Sequence, residues 1–518
     1  MSSVFTDDII YEIFKLLKDT DVYGNSLYSC LYVNRRFCVI AAPFLWKTTF
    51  QKEAKSNIFI STYISCLNKR FHGWQNDNDR SLLLSGRFLT MSPPLFEYET
   101  YLKEFSFKSL NKAVNHWFDC EYGSEDPKKK SITSKLEFYL FKMFAERSAL
   151  ESLAIELDVE NCWKIKEVFL GGISRVSSIK NLSISFPTLT LKEPRFLSKV
   201  RRFLRELKIV FQNLDEVCFF VDEASDSNDL ISQSSVEIIS FVQNQKNLKG
   251  FNLIGGEDKF LPAKDIITSS LKAHANSLIH LNVDNVHFSG MSFSFFEKCC
   301  KLELLGMGYC KGLHNMDPNA KFSNLKKLEL SLNQFQPHIT ASILKKAGES
   351  LVELDIDDVS NEISEVLVTY CTKIETLSIS GKTKLALPWL SKLRNLKRLE
   401  FMQVAEMCNF DESEMSVLPS NIKIKKIITE LFMTEFDCFY KSTQHLDFSL
   451  VSIIFSPEVK DFESISYEDL ESSLEINIGS SGGTNPTEEY KHITIKKKRS
   501  DVLLNFHYLS EKLLAKEN

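Results

Sequence analysis

His274 and His280 stand six residues apart, one expected in a helix and the other on a strand, so both read as surface or turn residues. None of the ten histidines falls at a spacing that collects zinc ligands. Cys299 and Cys300 are adjacent, and neighbouring cysteines bridge only at the cost of a strained geometry, so buried packing is the simpler reading. The twelve cysteines form no Cys-x-x-Cys pair, which fits reduced thiols rather than a disulfide framework. Gly171-Gly172 and Gly255-Gly256 lack the phosphate-cradling glycine patterns and read as turns, and no Gly-x-Ser-x-Gly elbow occurs. Lys496-Lys497-Lys498-Arg499 reads as a solvated strand edge protected by lysines, with a nuclear import signal or anion patch as the alternative. No catalytic residue, metal ligand or cofactor site is expected. The remaining chemistry is carboxylate chemistry. Asp284, Glu329, Glu353, Asp355, Asp357 and Glu400 alternate with apolar residues in short segments that hold only two cations, Lys327 and Arg398, in the same places. Such a surface would favour a basic protein segment and repel nucleic acid. It reads equally as an ordinary solvated face.

Those carboxylates are positioned by a repeat. Apolar residues recur at the first, fourth and sixth positions of L-x-x-L-x-L, with middle residues Leu153, Leu182, Leu207, Phe251, Leu281, Leu305, Leu328, Leu354, Leu377 and Leu399. The intervals are 29, 25, 44, 30, 24, 23, 26, 23 and 22, near the period of about 20–29 residues typical of leucine-rich repeats. The step of 44 reads as an insertion or a degenerate repeat, with its loop at 222–235. Leu102, Phe105 and Phe107 form a weaker early copy. The end of each motif alternates like a strand with one buried face. Helix-like stretches, such as 234–245, 341–347 and 363–370, lie between motifs. One strand-plus-helix unit cannot bury its apolar face alone, so the units must stack. The expected fold is therefore α/β: a curved solenoid with a parallel sheet on its concave face, where the six carboxylates would lie. An unrelated α/β domain with chance leucine spacing is the alternative. Cys299-Cys300, Cys310 and Cys371 near motif edges are similar to the cysteine-containing subclass of these repeats, although the usual Asn or Cys after the strand is otherwise poorly kept.

The N-terminus reads as three short amphipathic helices. Ile9, Ile10, Ile13, Phe14 and Leu17 share one face, with Thr6 as a cap and Asp7 and Asp8 in the first turn. Gly24 and Asn25 break the chain. Leu27, Cys30 and Leu31 begin a second helix; Phe37, Val39 and Ile40 belong to a third, which Pro43 should end. A unit this small must dock on something else. The run Asp8–Phe14 followed by Leu16-Leu17, then 29–38, then Pro43-Phe44-Leu45-Trp46, resembles the F-box over residues 3–48, with Phe5-Thr6 where that family usually has Leu-Pro.

That resemblance, joined to the repeats, implies the substrate receptor of a Skp–cullin–F-box ubiquitin ligase, with no bond chemistry of its own. Phe5, Ile9, Ile13, Phe14, Leu17, Leu31 and Val33 would divide between packing the F-box and docking a Skp-type adaptor, which in turn joins a cullin–RING ligase. The repeats would hold a protein target. The alternatives are a repeat scaffold with a degenerate F-box and no ligase coupling, an ordinary three-helix cap, and a repeat protein with an unrecognised enzyme site.

The expected domains are the F-box at 1–48, a helical bridge with degenerate early repeats at 49–148, the repeats at 149–404, and degenerate repeats with a C-terminal cap at 405–518. The bridge should hold helices at 58–67 and 134–147 and exposed loops at 76–79 and 123–130. The cap should hold strands around Leu474/Ile476/Ile478 and Ile493/Ile495, a flexible connector at 479–487 and a helix at 501–514. Net charge is −5 and pI about 6.1, so the chain is not a general polyanion binder. Hydrophobic residues make up 43% and charged residues 25%, which excludes global disorder. Without a secretory signal or an apolar run near the roughly 20 residues that span a bilayer, a cytoplasmic or nuclear protein without membrane contact is expected.

Overall fold

In a computed structural model the chain is α/β. The structure describes residues 6–20, 25–49, 56–70, 94–169, 176–186, 194–221, 233–256, 260–261, 264–288, 296, 298–313, 322–331, 333, 335–357, 359–380 and 387–405. Beyond these it describes the backbone of strands at 423–431, 447–448, 450–455, 474–482 and 489–497. The expected loop at 76–79, nearly all of that at 222–235 and the helix at 501–514 lie outside the described residues. Two units divide the chain: Met1–Lys259 with Asp265–His274, and Phe260–Lys264 with Ala275–Asn518.

The first unit opens with helices α1 (Asp7–Thr20), α2 (Asn25–Cys30) and α3 (Arg35–Trp46). Asn34 caps α3, its side chain accepting from the Phe37 N–H. Pro43 does not end α3 as expected but lies inside it. Proline removes one helical hydrogen bond, yet Leu45 and Trp46 just beyond it are buried, and that packing carries the helix through. Trp46 meets Phe59 and Tyr63 edge-on at 4.9 and 5.2 Å, which joins α3 to α4 (Ser56–Arg70). The Lys47 carbonyl then accepts the backbone N–H groups of Lys103 and Glu104. The end of the three-helix segment is thereby stitched to the first strand, β1 (Glu104–Ser106), which is the weak early copy.

Five parallel strands follow one another in register: β1, β2 (Ser152–Glu156), β3 (Asn181–Phe186), β4 (Glu216–Val221) and β5 (Gly250–Ile254). Between them run α5 (Phe107–Tyr122), α6 (Lys129–Arg147), α7 (Val159–Phe169), α8 (Pro194–Val210) and α9 (Ser235–Gln243), with α10 (Lys264–Leu271) after β5. One carbonyl per repeat accepts two N–H groups of the next strand. Lys103 takes Glu151 and Ser152, Glu151 takes Lys180 and Asn181, Lys180 takes Asp215 and Glu216, and Asp215 takes Lys249 and Gly250. Charge alternates along these same positions. Lys103 pairs with Glu151 at 3.1 Å and Lys249 with Asp215 at 3.2 Å; exposed pairs of this kind contribute only about 0–1 kcal/mol each.

One expected motif is not a strand. Leu204 and Leu207 lie in α8, where Val200, Phe203, Leu204 and Leu207 are buried at helical spacing. The strand of that repeat is β4, whose buried set is Leu214, Val217 and Phe219. Leu182 pairs with Val217 and Val217 with Phe251, so the 25 and 44 steps become 35 and 34. His274 also departs from expectation. It is buried, and its ring N–H donates to the Val242 carbonyl at 2.8 Å.

The second unit carries β6 (His280–Asp284), β7 (Leu304–Gly308), β8 (Lys327–Leu330), β9 (Glu353–Ile356), β10 (Thr376–Ser380), β11 (Arg398–Ala405) and β12 (Lys423–Leu431), parallel and in chain order. Helices α11 (Pro337–Ala347) and α12 (Asn361–Tyr370) pack behind them. A short strand, β13 (Asp447–Phe448), and then β14 (Leu450–Phe455) pair with β12 in parallel. β15 (Leu474–Gly482) and β16 (Glu489–Lys497) close the unit as an antiparallel pair, β16 lying between β14 and β15. Two expectations are corrected here. The segment Gly479 to Gly482 belongs to β15 rather than to the connector. Lys496 is not on an edge, being paired with Leu450 on one side and Glu475 on the other; Lys497 pairs with Leu474, and Lys498 and Arg499 lie outside the described residues.

Candidate docking surfaces

On α1 the apolar residues split by side. Ile10 and Phe14 are buried, Phe14 meeting Phe37 edge-on at 5.4 Å. Tyr11 lies against Phe44 at 4.9 Å, and Arg36 donates to the Asp7 carboxylate. Ile9, Ile13 and Leu16, at i, i+4 and i+7, point the other way and are 45%, 42% and 66% exposed. Tyr32 and Val33, in the turn after α2, are also exposed. Tyr11 and Val39 are exposed as well, and single exposed apolar side chains need no explanation, but seven on one small helical unit make it unusually apolar outside. Of the residues expected to serve the adaptor, Ile9, Ile13 and Val33 are exposed, Phe14 is core, and Leu17 and Leu31 are half-buried. Phe5 lies outside the described residues. Leu16 and Tyr32 are exposed too but were not among the residues expected to serve the adaptor; for Leu16 the signal was its place three positions beyond Ile13.

The second surface is the outward side of β6 to β11. In β6, β8 and β9 the burial strictly alternates, so Leu281, Val283, Leu328, Leu330, Leu354 and Ile356 are inside. Their neighbours form three rows across the strands. The first runs His280, Leu304, Lys327, Glu353, Thr376, Arg398. The second runs Asn282, Gly306, Glu329, Asp355, Ser378, Glu400. The third begins Asp284, Gly308, and Asp357 stands one residue beyond β9, on the same side. All six expected carboxylates, Asp284, Glu329, Glu353, Asp355, Asp357 and Glu400, therefore share one side with Lys327 and Arg398. The Lys327 ammonium lies 2.8 Å from Glu329 and 3.9 Å from Glu353. Its hydrogen bond to Glu329 chiefly, then the charges of Glu329, Glu353 and Asp355, hold its pKa above the ordinary lysine value, against a smaller opposing effect of burial.

β7 contributes only Leu304 to this side, its other two outward positions being Gly306 and Gly308. A Cβ at Gly306 would stand 2.4 Å from Asn282 Oδ1, and one at Gly308 2.7 Å from Asp284 Oδ1. The Asn282 and Asp284 side chains thus lean over β7, and a larger residue at either glycine would push them aside.

Behind the strands, two side chains stand at one repeat position. The Cys310 thiol lies 3.1 Å from the Gly308 carbonyl and 3.6 Å from the Val283 carbonyl of the preceding repeat, either of which can accept its S–H, and Asn333 Nδ2 donates to the Met307 carbonyl at 2.7 Å. Asn333 Oδ1 also accepts the Cys310 N–H at 2.8 Å. Asn333 thus partners a strand carbonyl and a backbone N–H at once. Burial pushes the Cys299, Cys310 and Cys371 thiols up to about 12, so they are protonated at neutral pH and unsuited to nucleophilic work. Among the described residues, no group of three or more His, Cys, Asp or Glu is placed to hold a metal, and no helix is long and apolar enough to cross a membrane. The chemistry these surfaces offer is recognition: apolar at the helical segment, anionic on the strands. Comparison with models of known families and with curated proteins finds no match to the chain.

Proposed function

We propose that this chain is the substrate-recognition subunit of a Skp–cullin–F-box ubiquitin ligase. Its three N-terminal helices act as the F-box and its strand-plus-helix units as leucine-rich repeats forming a curved solenoid. The observation that carries the reading is the split of α1. Ile10 and Phe14 hold the helix to its own unit, while Ile9, Ile13 and Leu16 present an apolar stripe outward, with Val33 and Tyr32 exposed beyond α2. A stripe of that spacing is what a partner covers in helix-mediated docking. Here the partner is the adaptor, and through it a cullin–RING ligase. The chain itself makes and breaks no bond. It brings a bound target beside a ubiquitin-loaded enzyme, which converts a bimolecular encounter into a local one.

The reading is tested by reconstitution. Purified adaptor, cullin–RING and ubiquitin-charging enzymes are combined with the full chain or with its Ile9→Asp/Ile13→Asp variant. Ubiquitin conjugates on the receptor or on a bound target are expected with the parent and absent with the variant. Both side chains already face solvent, so the variant keeps its fold, as circular dichroism should show. Conjugates formed equally by both proteins would overturn the proposal.

A further inference from the structure

We infer that the outward side of β6–β11 docks an extended, basic polypeptide segment, laid across the strands. This rests on the receptor reading only in supposing that the segment belongs to the ligase's target. The argument is charge complementarity over a whole sheet side. Six carboxylates (Asp284, Glu329, Glu353, Asp355, Asp357, Glu400) share it with two cations, Lys327 and Arg398. The excess is specific to this side. At the adjoining rim, lysines answer the carboxylates one for one: Lys326 pairs with Glu303 at 2.9 Å and Lys397 with Glu375 at 2.7 Å. On the sheet side the row Asn282, Gly306, Glu329, Asp355, Ser378, Glu400 contains no cation at all. The hydrogen bond to Glu329, with the charges of Glu329, Glu353 and Asp355, holds the Lys327 pKa above its ordinary value, in keeping with this excess.

Asn282, Glu329 and Asp284 gather over the two glycines of β7, so their polar oxygens meet above that strand. From Asn282 to Glu400 the row crosses five strand spacings of about 4.8 Å, roughly 24 Å, which about seven extended residues would cover. A duplex nucleic acid, with its phosphate charge, is repelled by the same field. The occupant is therefore a polypeptide rich in lysine or arginine and without compact structure of its own.

The probe is a fluorescein-labelled twelve-residue peptide of alternating arginine and serine, with glutamate replacing arginine as control. Binding to the full chain is read by fluorescence anisotropy at low and at physiological salt. The arginine peptide should bind, weaken as salt rises, and bind about tenfold more weakly to Glu329→Gln/Asp355→Asn, which keeps side-chain shape and removes two charges. Glu400→Gln, on the far strand, gives an independent second variant and should weaken binding by about threefold. Equal binding of the two peptides, or parental binding by both variants with circular dichroism unchanged, would overturn the proposal. Adaptor binding measured on the same samples separates the two readings. Adaptor captured without preference for the arginine peptide sinks this inference and spares the receptor; the reverse result spares the docking side and removes the receptor.

Discussion

Asn333 and Cys310 show how much one residue can carry. Asn333 reaches back to a strand carbonyl of the preceding repeat and also accepts a backbone N–H, and the Cys310 thiol lies beside the Gly308 and Val283 carbonyls. Asn333→Ala strands both backbone groups and should cost about 1–3 kcal/mol in urea unfolding, whereas Cys310→Ser keeps a donor and should cost less. Cys310 was legible as a motif-edge residue; Asn333, nine positions into its motif, was obscured because few other repeats keep an Asn there. The thiols give a pH prediction. Cys299, Cys310 and Cys371 have folded pKa values near 12, above the unfolded value of about 8.5. A group raised on folding contributes stability that is fully present below its unfolded pKa and is lost as pH climbs through the folded one. Stability should therefore fall as pH rises from about 8.5 toward 12, because the unfolded chain alone ionises these thiols at first. At pH 8 iodoacetamide should label the exposed Cys120 and Cys300 quickly, and Cys310 and Cys371 only on unfolding. Rapid labelling of Cys310 in mass spectra of the native protein would contradict its burial.

Among the elements, most strands could be read from apolar spacing, because nine of the ten expected motifs lie on strands. The tenth failed for a physical reason. Leu204, Leu207 and Ile209 satisfy the strand pattern, but Val200, Phe203, Leu204 and Leu207 also satisfy the helical one, and the longer period won. Leu214, Val217 and Phe219 fit the same apolar pattern but were passed over for the helical match at Leu204, Leu207 and Ile209 ten residues earlier. Pro43 misled in the same way: local propensity ended the helix, and the burial of Trp46 continued it. The link between α6 and α7 had no sequence signal. There Lys164 and Glu137 form a buried pair at 2.7 Å, and Asn111 donates to the other carboxylate oxygen at 2.7 Å. Removing one partner by Lys164→Ala should cost about 3–5 kcal/mol, since a charge is left buried; Lys164→Met with Glu137→Leu should recover much of that loss. Equal midpoints for the single and double variants in thermal unfolding would show that the ions are not held as described.

The whole molecule carries two surfaces of different character. The helical segment offers apolar side chains, and the strands of the second unit offer negative charge, each suited to a different kind of partner. The class of fold, α/β with parallel strands, followed from the repeat. The division into two units did not, because the repeat signal runs through Leu281 without interruption. The outward carboxylates were legible from alternation alone, while the covering of the β7 glycines by Asn282 and Asp284 was not. The most direct test of the central claim is calorimetric titration of a purified Skp-type adaptor into the full chain and into Ile9→Asp/Ile13→Asp. One-to-one binding by the parent, lost in the variant while helix content is kept, is the predicted result. No heat of binding with the parent, or equal binding by both proteins, would contradict the claim that this face of α1 couples the chain to a ligase.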